Sequence, residues 1–381
     1  MIRSIVIFLL MFSASFAPAQ IVVDCGAGQS LNRTLSRMIG SIPMTVTVRG
    51  TCTEYIRVSD FEGLTLKGAP GAALVQPATD PSTGPVFVLS ILGSRNVTVS
   101  GLAIHTRPAS GASGIGVGKG STGVELRNLT IDGPWGIQIY GDGQALIANS
   151  TISISGGYSA ISAWDKSDVH VQDVSVQPSG SGWFAGIFVS TGHVTMQGTR
   201  IRDMQQGISV DDNGSLDLVY YDTSTPNSDV VIDNPAGLNF NGVLASNNST
   251  LNLGSARLLI NRAGQGWGGT TGGIMVSSGS TLNAGSNLVV SGSYGQGVLI
   301  TDNSHALLNG SSITGSGHGG VVVLNLSTAG FGTSGTQTLV GGNVPDLFCD
   351  SRSLISGMIN AAGVPTSLCA NTLQYDFENI P

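Results

Sequence analysis

Asp142, Asp165 and Asp212 are the carboxylates of this chain placed to hold calcium or pass a proton, and Lys166 beside Asp165 is a base that could remove one. Asp165 and Asp212 lie two sequence repeats apart. In a stacked chain that spacing is about 9–10 Å, near the upper end of the roughly 6.5–9.5 Å that inverting glycoside hydrolysis uses. The same column of the repeat also holds Thr191, Asn247, Ser278, Asp302 and Asn325. A column of Asp, Asn, Ser and Thr is what tight turns select, so turn formation accounts for it more simply than catalysis does.

The aromatic residues point to a different chemistry. Trp135, Tyr158, Trp183 and Phe184 come just before one apolar strand in three successive repeats, and Tyr140 and Trp164 come just after it. Between them Gln138, Ser162 and Phe188 face outward by strand alternation. Tyr140 and Trp164 are expected to stack one coil apart, at about 4.8 Å. Flat rings beside amide and hydroxyl groups can hold a sugar by its apolar face, with Gln138, Asp165 and Lys166 bonding its hydroxyls. The plainer alternative is that the rings fold over the edge of the core. The five histidines, at 105, 170, 193, 305 and 318, have no metal-ligand spacing, so no metal and no cofactor is expected, calcium entering only if Asp165, Lys166 and Asp212 form a lyase site.

The elements that carry these residues are set by one repeat. Gly, apolar, any residue, apolar recurs at Gly114-Ile115-Gly116-Val117 and Gly136-Ile137-Gln138-Ile139, and again at Ala160, Gly186, Gly207, Gly242, Gly273, Gly297 and Gly320, in steps of 21 to 35 residues. Such a period means one structural unit stacked many times. Each coil reads as three short strands, for example Gly114–Val117, Val124–Leu126 and Leu129–Ile131, each alternating apolar and polar residues. None could bury its apolar face alone, and stacking creates the core. Between the second and third strands stand Gly101, Asn128, Asn149, Asp173, Gly198 and Gly310, residue types that accept a left-handed backbone and bend a chain sharply. The expected fold is therefore all-β, a right-handed parallel β-helix solenoid of about eleven coils over residues 46–345. Residues 20–45 form an N-terminal cap, with a short amphipathic helix over 31–39 and Ser30 as its N-cap. Residues 346–381 form a C-terminal cap and tail. Long insertions at 223–235 and 262–272, near Tyr220, Tyr221 and Trp267, are expected as loops.

Residues 1–19 read as a signal peptide, with Arg3, an apolar run from Ser4 to Phe12, and Ala17-Pro18-Ala19 as the cleavage site, which predicts a secreted or periplasmic protein with no later membrane span. In an oxidising compartment the four cysteines, paired by position at the two ends of the repeats, are expected as Cys25–Cys52 and Cys349–Cys369. The chain has 55 glycines, 10% charged residues and a net charge of −7, a balance that argues against a nucleic-acid partner. One outward column turns apolar at Leu244, Met275, Leu299 and Val322. Such a ladder marks a covering segment or an interface: the expected cover is the tail from Leu373 to Pro381, and the rival is a homo-oligomer contact with a second copy.

Asp24-Cys25-Gly26, Val46-Thr47-Val48, Thr51-Cys52-Thr53-Glu54 and Leu64-Thr65-Leu66-Lys67-Gly68 resemble the opening of secreted bacterial right-handed parallel β-helix repeat proteins of the pectin-lyase-like superfamily. Asp346-Leu347-Phe348-Cys349-Asp350-Ser351 resembles their closing segment. Two motifs known from polygalacturonase-like hydrolases, Asp211-Asp212 and Gly317-His318-Gly319, are present about three coils apart, while the Asn-Thr-Asp and Arg-x-Lys motifs of those enzymes are missing. The resemblance implies the fold and a leaning toward polysaccharides without specifying a reaction. The resulting expectation is a protein that binds an extended polysaccharide without catalysis. The alternatives are a polysaccharide lyase or glycoside hydrolase, and a structural surface or adhesion protein working through the apolar ladder.

Overall fold

The computed structural model describes residues 19–38, 40–79, 86–108, 111–157, 159–180, 185–220, 228–234, 240–264, 271–332, 338–343, 345–357, 359–361 and 367–369. The proposed leader, the residues Tyr158, Trp183, Phe184, Tyr221 and Trp267, and the tail beyond Cys369 lie outside them.

Three parallel sheets run the length of the molecule, with fourteen, thirteen and thirteen strands. Sheet I begins at Ala19–Asp24, sheet II at Thr51–Thr53 and sheet III at Ile56–Ser59. The chain visits them in rotation, and each strand pairs with the strand one coil away. This is the coil anticipated from sequence: Ser113–Gly118, Val124–Arg127 and Thr130–Gly133 lie in sheets III, I and II. The stack is taller than the eleven coils expected, because its first and last coils have strands without the Gly-apolar pattern.

Register explains the repeat. Ile115, Ile137, Ile161, Ile187, Ile208, Val243, Ile274, Val298 and Val321 are successive partners in sheet III, and all are fully buried. They form one continuous apolar column at the coil spacing of about 4.8 Å. The glycine preceding all of them but Ile161, which follows Ala160, is a matter of space. A β-carbon on Gly207 would stand 2.4 Å from the Gly242 carbonyl oxygen and 2.8 Å from Ile232 Cγ2, and one on Gly242 would meet the Gly273 oxygen and Ile260 Cγ2 at 2.6 Å each. Sheets II and III close on each other here, and an added methyl has to push the coils apart.

The turns obey the residue types that occupy them. Asn128, Asn149 and Asp173 have φ of 53°, 49° and 53°, and Gly101, Gly198 and Gly310 share the sign. A second interior device lies at the turn from sheet III to sheet I. Ser94, Ser121, Ser249, Ser280, Ser304 and Ser327 are buried there. The backbone N–H groups of Ser94, Ser249 and Ser304 donate to the Ser121, Ser280 and Ser327 hydroxyls one coil on, at 3.2, 3.1 and 3.1 Å. The serines thus satisfy turn amides that the sheet ladders leave over.

At the N-terminal end the capping helix spans Leu31–Ser36, with Leu31 and Leu35 buried, and the Ser30 side chain accepts from the Arg33 N–H. Glu54 completes the cap, accepting from Ser30 Oγ at 2.7 Å and from the Leu31 N–H at 2.6 Å. Ahead of the helix, Ala19–Asp24 forms a strand on Met44–Arg49, an element that the sequence does not distinguish from the rest of the cap. Cys25 and Cys52 are disulfide-bonded with Cα atoms 5.1 Å apart. Cys349 is also disulfide-bonded, and strand register sets Cys369 beside it, as the expected pairing requires. Among the described residues the only grouped metal-type ligands are Cys25, Cys52 and Glu54, and the disulfide consumes both sulfurs. No helix among the described residues is long and apolar enough to cross a membrane.

Candidate functional site

The outer face of sheet III carries the aromatic residues. Inward positions alternate with outward ones along each strand. Ser90, Gly116, Gln138, Ser162, Phe188, Ser209, Leu244, Met275, Leu299 and Val322 follow one another outward, coil by coil.

Tyr140 does not stack on Trp164. It stacks on Phe87, with ring centroids 5.8 Å apart and planes 13° from parallel. The reason is the strand between them: Ser113–Gly118 has glycine at both outward positions over which the rings close. A β-carbon on Gly116 would come within 2.6 Å of the Phe87 ring, and one on Gly118 within 2.4 Å of the Tyr140 ring. The two glycines leave a floor onto which one ring folds from the coil before and one from the coil after. The sequence reading missed Phe87. The signal that could have found it is Gly116-Val117-Gly118, two bare outward positions on one strand, where the neighbouring coils carry side chains. Burial raises the Tyr140 phenol above the ordinary tyrosine range.

Trp164 packs instead against Phe188 on the next coil, centroids 5.1 Å apart and planes tilted by 50°. Its Nε1 is buried with no hydrogen-bond partner. Trp135 is half-buried at the start of its strand, in register with Ser113. Gln138 is half-buried and donates from Nε2 to Ser113 Oγ at 2.7 Å. Ser162 faces outward as expected yet is 0% exposed, its hydroxyl 3.0 Å from that of Ser159. It is thus part of the support beneath the rings. Tyr158 and Trp183 lie outside the described residues.

The charged candidates border this face in the turns that follow each strand. Asp165, Lys166 and Asp212 are exposed and have φ of 51°, 62° and 50°. Asp142, Thr191, Asn247, Ser278, Asp302 and Asn325 have the same left-handed backbone, φ between 54° and 59°. The column is a turn column throughout, as the turn-forming reading holds. Asp165 donates its backbone N–H to Thr191 Oγ1 at 3.0 Å, and Lys166 N–H to the Thr191 carbonyl at 3.0 Å. Asp212 accepts from Ser190 Oγ at 3.4 Å and from Asn247 Nδ2 at 3.3 Å. Asp165 and Asp212 follow strands two steps apart in sheet III. Asp211 ends the strand Gln206–Asp211, and His318 precedes Val321–Val323, four steps further along the sheet, so the two hydrolase-like motifs stand even farther apart than the three coils expected.

The apolar ladder is less open than its sequence suggests. Leu299 and Val322 are each 5% exposed, and Leu244 and Met275 are half-buried. Phe348, which continues the column, is 37% exposed. A second copy would therefore find little apolar surface at Leu299 and Val322.

A family sequence model described as right handed beta helix region matches residues 88–256. No curated protein matches the chain. Among solved structures, the alginate lyase from Paenibacillus sp. str. FPU-7 is similar at 12% sequence identity and a TM-score of 0.41, over 88% of this chain and 99% of that one. The chain rotates through three parallel sheets and a right-handed β-helix model matches its central coils, so its fold is that of a parallel β-helix solenoid.

Proposed function

We propose that this protein binds an extended polysaccharide along the outer face of sheet III and does not cleave it. The observation that carries the reading is the Phe87–Tyr140 stack over Gly116 and Gly118. The rings are held on a floor with no side chains, flanked by the Gln138 amide, and this is the combination of flat apolar surface and a few fixed polar groups that sugars use. Trp164 and Phe188 extend it by two coils. The carboxylates nearest to it are exposed turn residues in left-handed backbone, a role that accounts for their presence without catalysis.

The test is a titration of the purified protein with soluble polysaccharides, with and without calcium, reading binding and newly formed reducing or unsaturated ends together. Binding without new ends is expected, and Tyr140→Ala should weaken it about tenfold, equivalent to about 1.4 kcal/mol. New ends that disappear in Asp165→Asn or Asp212→Asn would assign the protein to the lyases or hydrolases instead. Export directed by the leader at residues 1–19 would set this binding outside the cell or in the periplasm, an oxidising setting that suits the cysteine pairs at both ends of the stack.

A further inference from the structure

We infer that the polysaccharide taken by this face is uncharged. The inference rests on the binding reading above and adds the chemical class of the ligand. It comes from the charges that border the rings. From the coil of Phe87 to that of Asp212, the described strand ends and turns after each sheet III strand carry Arg95, Lys119, Asp142, Asp165, Lys166, Asp211 and Asp212. That is three positive and four negative side chains, a balance of −1. All but Asp211 are exposed. Asp142 is two residues from Tyr140, and Asp165 directly follows Trp164, so these charges stand within about one Debye length, about 8 Å at physiological salt, of anything lying on the rings.

A polyuronate carries one carboxylate per sugar, a spacing comparable to the coil rise of about 4.8 Å. Laid along five coils, it would bring about five negative charges against a border that is itself negative. Each close like-charge contact disfavours binding even in water, and the molecule as a whole, at −7, offers no attraction at longer range. Recognition of a polyanion calls for a basic stripe, and Arg95, Lys119 and Lys166 do not make one, because Asp142 and Asp165 stand among them. A neutral sugar meets the same border favourably. Its hydroxyls donate to carboxylates, and its apolar ring faces meet Phe87 and Tyr140.

The experiment is affinity electrophoresis of the full chain through gels holding a mixed-linkage β-glucan, a galactomannan, polygalacturonate or alginate, at low and at high salt. Retardation by an uncharged glycan, changing less than about twofold with salt, is expected, with no retardation by either polyuronate. A triple variant, Asp142→Lys, Asp165→Lys and Asp212→Lys, should gain polyuronate binding that salt abolishes; Lys119 and Lys166 show that lysine is accepted at these left-handed positions, and a melting curve verifies folding. Wild-type protein held more tightly by a polyuronate than by any neutral glycan overturns the inference. If Tyr140→Ala abolishes that polyuronate binding, the face remains the site and the ligand class alone is wrong. No retardation by any glycan defeats the binding reading and the inference with it.

Discussion

Gly118 is the residue on which the arrangement of the site turns. Its missing side chain lets the Tyr140 ring settle on the sheet, and Gly118→Ala has to displace that ring, since the new methyl would lie 2.4 Å from it. The expected result is weaker glycan binding with the solenoid intact. Tyrosine titration checks the displacement. Burial raises the Tyr140 phenol, so its contribution to stability is fully present below the ordinary phenol value of about 10 and is lost as pH rises through the raised value. Gly118→Ala should return this phenol toward the ordinary range, and Tyr140→Phe should remove the step altogether. Sequence alone identified Gln138, Ser162 and Phe188 as outward residues because strand alternation is strict, and placed Tyr140 and Trp164 just after the strand. It paired Tyr140 with the wrong ring because partner choice depends on which neighbouring positions are empty, and the emptiness of Gly116 and Gly118 counts only once the coils are in register. Leu299 teaches a related lesson. It is outward by alternation but 5% exposed, so Leu299→Asp would bury a charge and unfold the local coil, and Phe348 is the position at which to probe adhesion through this column.

Two elements at the ends of the stack determine how well it is closed. The capping helix has six residues, too few to hold together alone, and it is tied down by Glu54 and by the disulfide whose cysteines are 27 residues apart. A double Cys25→Ser, Cys52→Ser variant should lose about 3–4 kcal/mol by the loop-entropy argument, with hydrogen exchange rising first in residues 19–36. Retained protection there would show that Glu54 and Leu31 suffice. At the other end, the Asn325 backbone N–H, donating to Asp350 at 2.8 Å, and then the Ser353 hydroxyl hold the Asp350 carboxyl below the ordinary carboxylate range. A depressed value stabilises the fold above the ordinary carboxylate pKa, and that contribution fades as pH falls through the lowered one. Acid should therefore loosen the turn between Asn325 and Asp350, and Asp350→Ala should loosen it at neutral pH. The helix and the cysteine pairs were legible because helical spacing and end placement are local signals. The opening strand Ala19–Asp24 was not, since its apolar run acquires meaning only from its partner Met44–Arg49.

The molecule as a whole is a one-dimensional stack, in which each coil contacts its neighbours and stability is close to a sum of coil and interface terms. Damage to one coil should therefore remain local at first. Gly242→Ala places a methyl 2.6 Å from the Gly273 oxygen and from Ile260 Cγ2 and should cost about 1–3 kcal/mol by overpacking, with exchange protection lost in the coils on either side of Gly242 before the rest. Uniform loss along the whole stack would contradict the nearest-neighbour picture. At this scale the sequence was most informative, because a period imposed on nine coils repeats the same evidence nine times. The buried serine column at the turn from sheet III to sheet I escaped notice for the opposite reason: Ser94, Ser121 and Ser280 sit among many other serines, and only register shows that their hydroxyls meet the amides of the preceding coil.

The central claim is that the ring face of sheet III binds a glycan and leaves it whole. Its most direct test is calorimetric titration of wild-type protein and Tyr140→Ala with an uncharged polysaccharide, with the spent mixture assayed for new reducing or unsaturated ends. The account predicts binding by the wild type, about tenfold weaker binding by the variant, and no new ends in either. Equal affinity in the two proteins would move the site away from the Phe87–Tyr140 stack, and product release by the wild type would make the bordering turn of Asp165, Lys166 and Asp212 an active site.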